Sequence, residues 1–376
     1  MGGMLLLLLC AAWLALSSGA GVNISFAEEP SVANRSCTKD ELLPHSTSSS
    51  SISPEWSDPN AAEDPYGCDC SFYRARYFCR SREAGQGYRQ WLPRAVSEGI
   101  CNSVTRSQLL ETPFPPMFKV LIYGNSHLRQ VVEALMCIVS DKVRAKRVYY
   151  SEVLNPGVYK VRGDVPCRFS SDKDWATLVH HHCVPEEAAG ASGQRCADDH
   201  GEFFMTNGAI VHYYFSGGDE NKNIGDALGF HNNATWSHYD AVFANSGNRP
   251  FMSEESVLIS ALELHRAGVP FFWLSEYDGQ GDINGWEVSS VSRFHESGAR
   301  YVDIRSMTHG LRSFTKGAME SVGQDHEKKV EDDRFEKYVG GDPHFCLPGP
   351  PDEMALLLLK LMWAVHQESI HVGVGT

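Results

Sequence analysis

Residues 118–130, Phe-Lys-Val-Leu-Ile-Tyr-Gly-Asn-Ser-His-Leu-Arg-Gln, change hydrophobic period part-way along. The unbroken apolar run up to Tyr123 is that of a strand buried on both faces. Past Gly124-Asn125-Ser126 the apolar positions recur at helical spacing, which predicts a strand over Lys119 to Tyr123 and a helix from about Leu128 to Val139. Similar runs predict strands over Ala209 to Phe215, Ala241 to Ala244, Val269 to Leu274 and Tyr301 to Ile304. A helix from about Glu254 to Arg266 is announced by Ser253 as a cap with two acids in the first turn, and a final helix starts at Asp352 and carries the run Met354 to Trp363. Strand and helix signals in alternation imply an α/β fold, a mainly parallel sheet flanked by helices.

The pattern also shows where the core stops. Residues 21–67 are poor in large apolar side chains and contain the nearly continuous Ser/Thr run Ser46 to Ser53, which reads as a flexible stalk. Residues 68–116 bring cysteines together with Tyr73, Tyr77, Phe78, Tyr88 and Trp91; this segment is too short to fold alone and is expected to pack on the main body, residues 117–376. Ahead of them Met4 to Leu16 is apolar and uncharged, and Ser17-Ser18-Gly19-Ala20 suits signal peptidase, so residues 1–20 read as a signal peptide. The run falls short of a bilayer span of roughly 20 residues, and an uncleaved anchor is the alternative.

Composition narrows the setting. With 376 residues the chain can build a sizeable core. A formal charge of −14, with one short basic cluster at Lys142, Arg144, Lys146 and Arg147, argues against nucleic acid and anionic membrane surfaces as partners; the cluster reads as a solvated element end. Of the eleven cysteines Cys10 falls in the leader, leaving ten, an even number that fits disulfides in an oxidising compartment. Asn23, Asn34 and Asn233 begin glycan-acceptor tripeptides. The expected location is the secretory pathway, either the Golgi lumen or outside the cell. His180-His181-His182-Cys183 invites a zinc reading, but adjacent histidines cannot all face one ion and no Cys-x-x-Cys partner accompanies them, so no metal is expected.

The candidate chemistry begins at Ser126. A serine between strand and helix has its hydroxyl at the carboxyl end of the sheet, where the free N–H groups and positive dipole end of the helix favour an oxyanion. A serine there is also a preferred N-cap, so the turn alone does not define a nucleophile. Two further turns add company. Gly340-Gly341-Asp342-Pro343-His344-Phe345-Cys346-Leu347-Pro348-Gly349 offers an acid and a base on one loop, and Asn245-Ser246-Gly247-Asn248 ends a strand with amides able to bind an oxyanion. Turns at the ends of parallel strands can converge on one crevice. His127 and Gln130 are further candidates to line it. Trp273, Tyr277 and Trp286 lie at or near a strand end, where an aromatic face could stack on a sugar ring, although Trp273 continues an apolar strand and reads as core.

Together, the Gly-x-Ser turn with Arg129 three residues after the serine, the internal Asn-Ser-Gly-Asn turn, and the Asp/His loop running into Cys-Leu-Pro-Gly-x-x-Asp resemble the SGNH (GDSL-like) superfamily. Within it the chain is most similar to the PC-esterase domain and the plant trichome-birefringence-like proteins, whose studied members are O-acetyltransferases of cell-wall polysaccharides. The resemblance runs from about Cys68 onward and includes Trp91-Leu92-Pro93 with the following Cys101. It implies an SGNH-hydrolase-like fold, Ser126 as nucleophile, His344 as general base, Arg129 as a supporting arginine, and an oxyanion site drawn from Gly124, Gly247, and Asn245 or Asn248. Two positions depart from the family pattern. Asn125 stands where the family usually has Asp, and Gly341 stands where the acid normally precedes the histidine by three residues. Either Asp342 reaches the imidazole or a Ser/His pair works alone, with a backbone carbonyl orienting the ring.

The function this implies is O-acetyl transfer to a carbohydrate hydroxyl through an acetyl-serine, with a polysaccharide or glycan as acceptor and the acetyl donor unidentified. Water as acceptor would make the protein a carbohydrate acetylesterase. A non-catalytic carbohydrate-binding or structural protein of the same fold is the alternative from another class. No cofactor is implied, and no Gly-rich phosphate loop argues for a bound nucleotide.

Overall fold

The structure, a computed structural model, describes residues 35–44, 91–149, 158–160, 166–168, 183–184, 195–196, 200–215, 223–228, 236–245, 252–277, 288–309, 311, 344–345 and 349–374. The expected leader, the Ser/Thr run Ser46 to Ser53 and the histidine run at 180–182 lie outside them, whereas residues 35–44, expected within a flexible stalk, are bound to the body through Cys37, Lys39 and Asp40.

Among the described residues seven strands make the central sheet: β1 (Lys119–Gly124), β2 (Val143–Tyr149), β3 (His200–Met205), β4 (Ile210–Phe215), β5 (Ala241–Ala244), β6 (Phe271–Leu274) and β7 (Ala299–Val302). Their order is β7-β6-β5-β1-β4-β3-β2. From β7 to β4 all pairings are parallel; β3 runs antiparallel to β4, and β2 antiparallel to β3. Two short antiparallel ribbons, Val158–Lys160 with Pro166–Arg168 and Cys183–Val184 with Arg195–Cys196, stand apart from it. The helices are α1 (Arg94–Ser97), α2 (Arg106–Glu111), α3 (Ser126–Ile138), α4 (Ile224–Leu228), α5 (Glu254–Arg266), α6 (Val291–Glu296), α7 (Ile304–Thr308) and α8 (Pro350–Val374).

Successive strand residues face opposite sides of the sheet, so an apolar run feeds two cores at once. Val120 and Ile122 of β1 pack with α3 and α8 on one face, and Leu121 and Tyr123 pack with α5 and Phe294 of α6 on the other. The strands predicted as apolar runs are this parallel part, with β7 two residues earlier than predicted; β1, β5 and β6 are buried on both faces, whereas β4 alternates buried and half-buried positions. Trp273 belongs to the parallel part, fully buried in β6. The antiparallel margin was not predicted. Lys142, Arg144, Lys146 and Arg147, expected at a solvated element end, lead into and lie along β2, an edge strand of the sheet. Basic residues suit that place because they oppose pairing with another chain's edge.

α8 begins with two prolines, which fit a first turn whose N–H groups have no helical partner, and the Asp352 carboxylate accepts from Gly349 N at 2.6 Å. Residues 35–44 and 91–118 are fastened to this helix. Glu353, buried, accepts from Trp91 N at 3.0 Å and pairs with Arg106 of α2 at 3.1 Å; Trp363 Nε1 donates to the carbonyls of Thr112 and Pro113, each at 3.2 Å; and Lys39 pairs with Glu368. A Cys37–Cys101 disulfide ties the two stretches together, and Arg300 of β7 binds Asp40 at 2.7 Å. Cys137, in α3, is also disulfide-bonded. Among the described residues no helix is long and apolar enough to cross a membrane.

Candidate active site

β1 is the strand at which the chain reverses its direction of travel across the sheet: the segment after β1 leads to the β4 side, whereas the segment after β5 leads to β6 and β7. Ligands of open α/β sheets bind at the carboxyl ends of the strands flanking such a reversal. Here those two strand ends carry Gly124-Asn125-Ser126 and Asn245.

The two ends are locked together. Asn125 N donates to Asn245 Oδ1 at 3.4 Å, and Asn245 N donates to Tyr123 O at 3.0 Å. Gly124 leaves room for this contact: a Cβ there would lie 2.3 Å from Asn245 Oδ1 and 2.8 Å from Leu128 Cδ2. On the other side of β1, the Tyr213 hydroxyl reaches towards the carbonyls of Gly124 and Asn125, at 3.5 and 3.4 Å.

The cap of α3 is Asn125. Its side-chain oxygen accepts from His127 N at 3.1 Å, so the first helical residue is Ser126, and the helix starts two residues earlier than its apolar spacing predicts. The reading of Ser126 as a mere cap therefore fails. Ser126 is also the one residue between Val120 and Val139 that is not buried. A hydroxyl with access to solvent, at the positive end of a four-turn helix, is placed to attack an electrophile and to have the resulting negative charge favoured nearby.

His344 comes to the same helix end. Its ring meets that of His127 edge-to-face, with centroids 5.1 Å apart. His127 also meets Tyr277, stacked at 4.2 Å, whose hydroxyl donates to His127 O at 3.2 Å. Tyr277, a candidate for stacking on sugar, is instead buried against His127 and Phe345. Gln130, one turn after Ser126 and fully buried, donates from Nε2 to Phe345 O at 2.7 Å and accepts from Phe345 N at Oε1 at 3.3 Å. Arg129 is buried within the first turns of α3, and Glu133, buried one turn further on, offers an opposite charge on the same side of the helix.

Of the expected site residues, the structure brings Gly124, Asn125, Ser126, Arg129, Asn245 and His344 to the carboxyl end of the sheet. Asp342, Gly247 and Asn248 lie outside the described residues, as do Cys346 and Trp286. Two residues escaped the sequence reading. Tyr213 is hidden in an apolar strand and gives no signal of its own. Glu276, fully buried two residues past the end of β6, follows another parallel strand into a polar turn, the same signal that marks Asn245. Among the described residues no three His, Cys, Asp or Glu side chains are grouped to hold a metal ion. No protein-family model matches the chain, and a search of curated proteins finds no similar one.

Proposed function

We propose that the protein is an SGNH-like serine acyltransferase of the secretory pathway that moves an acetyl group to a carbohydrate hydroxyl. The observation that carries this reading is the solvent-accessible Ser126 at the N-terminus of α3, with Asn125 performing the capping and His344 packed against the next residue, His127. In this reading His344 takes the Ser126 proton, Ser126 Oγ attacks the donor's acetyl carbonyl, and the tetrahedral oxyanion lies at the α3 N-terminus. Collapse expels the donor's leaving group, which takes a proton from His344, and leaves an acetyl-serine. His344 then deprotonates a sugar hydroxyl, which attacks the acyl carbon and departs as the O-acetyl sugar while Ser126 recovers its proton. The Cys37–Cys101 disulfide supports an oxidising compartment.

Intact mass spectrometry after brief incubation with an activated acetyl ester tests the reading. The expected result is one acetyl group on Ser126, absent from Ser126→Ala and His344→Ala, and discharged faster when an oligosaccharide is added. Discharge by water alone, indifferent to the sugar, would make the protein an acetylesterase. No adduct and no turnover in the parent would leave a non-catalytic carbohydrate-binding or structural protein.

A further inference from the structure

In the Ser126/His344 reading, on which this inference rests, the base arrives on a loop more than two hundred positions away in sequence. Helical rigidity fixes Ser126 on α3, and something must fix His344 to the same frame. The hydrogen bonds identify it. Gln130 spends its amide on both main-chain groups of Phe345, the residue beside His344, donating to the carbonyl at 2.7 Å and accepting from the N–H at 3.3 Å. A primary amide offers a donor and an acceptor side by side, so it can pair with a peptide as a neighbouring strand would. The Phe345 ring, fully buried, then lies against Tyr277 at 4.9 Å; Tyr277 stacks on His127 at 4.2 Å; and His127 meets His344 at 5.1 Å. The circuit starts and ends within the first two turns of the helix that carries Ser126.

We infer that Gln130 is the positioning residue for the base: its amide clamps the Phe345 peptide to α3 and thereby sets the distance and angle between the His344 imidazole and the Ser126 hydroxyl. Gln130 does not touch the substrate in this scheme. Its action is felt in the rate of acyl-serine formation and not in the binding of the acetyl donor. Misplacing a reacting group by about 1 Å costs up to roughly a hundred-fold in rate.

Gln130→Glu and Gln130→Met separate this role from simple packing. An ionised carboxylate keeps the acceptor for Phe345 N but faces Phe345 O with a second acceptor; protonated, it recovers a donor. The readout is the variant-to-parent ratio of acyl-serine formation at each pH, with KM and the melting temperature measured in the same buffers. For Gln130→Glu the ratio is expected to fall by about a hundred-fold at high pH, where the carboxyl is ionised, and to recover as pH falls and it gains its proton, its affinity for the proton raised by burial. Gln130→Met, of similar volume and without hydrogen-bonding capacity, is expected to be slow at every pH with KM unchanged.

A flat ratio for Gln130→Glu, or parent rates in Gln130→Met, with Ser126-dependent turnover intact in the parent, overturns the inference and leaves the functional reading standing. Should Gln130→Met not fold, the pH profile of Gln130→Glu decides alone. A parent with no Ser126-dependent turnover overturns both.

Discussion

At the scale of single residues the turn after β1 is built without slack. Gly124 meets Asn245 Oδ1 where any Cβ would overlap it at 2.3 Å, and Asn125 divides its polar groups between the two strand ends, its N–H to Asn245 and its side-chain oxygen to the α3 cap. Gly124→Ala must part β1 from β5 at their ends. It is expected to destabilise the protein by about 1 to 3 kcal/mol and to slow acyl-serine formation by roughly a hundred-fold, measured by denaturant midpoint and by mass spectrometry at early times. Parent values of both would mean that the Gly124–Asn245 contact is not tight in solution. Asn125, at a position where SGNH proteins usually have Asp, is intelligible on the same ground: Asn and Asp cap equally well, and an uncharged amide avoids burying a carboxylate whose backbone neighbours are already committed.

At the scale of elements α8 joins the N-terminal segment to the core, and its charges show how. Glu353 takes Trp91 N and Arg106, whereas Lys360, two turns on along the same helix, is buried at 7 % exposure. Burial pushes the Lys360 ammonium below its usual range; Glu353 pulls it back up, and Arg106 adds to the depression. Because the folded value lies below the unfolded value of about 10.4, the unfolded chain binds more protons across that window, and the stability of the parent rises with pH through it. Lys360→Met is therefore expected to raise stability at pH 7 by about 1 kcal/mol, with the gap to the parent closing as pH approaches 10. Thermal melts at several pH values check this; a variant less stable than the parent at pH 7 would show that Lys360 earns its place through Glu353.

At the scale of the whole molecule the segment 35–44 holds distant parts together. It is disulfide-bonded to Cys101, paired with Glu368 near the end of α8, and tied by Asp40 to Arg300 on the outermost parallel strand. Within it the Arg35 guanidinium holds the Glu41 carboxyl down to about 2. A depressed carboxyl stabilises the fold above its unfolded value, about 4.3, and loses that contribution only as pH falls through the folded one. The segment is thus expected to keep this tie at the mildly acidic pH of a secretory compartment. The disulfide closes a sequence separation of 64 residues. Replacing Cys37 and Cys101 together by Ala is expected to cost about 2 to 4 kcal/mol, read from the denaturant midpoint without reductant. An unchanged midpoint would assign the fastening to Glu353, Trp363 and Glu368 instead.

The amino-acid sequence by itself determined the parallel core, because strands buried on both faces must be written as apolar runs and their helices as amphipathic ones; β1, β5, α5 and α8 could be read directly. It also marked Ser126 and His344 as candidates, since polar turns at strand and loop ends are where a nucleophile and a base can sit, and folding brings both to one end of α3. What it left open was decided by contacts between residues far apart in the chain. The margin of β2 and β3 is held by antiparallel pairing, which a half-covered strand does not announce in its pattern. Which residue caps α3 depended on Asn125 finding His127 N and Asn245 Oδ1 at once. The contacts of Gln130 and Tyr277 arose only when folding brought Phe345 to α3, 215 positions from its partner, because a buried amide has nothing to pair with until the peptide it binds is beside it.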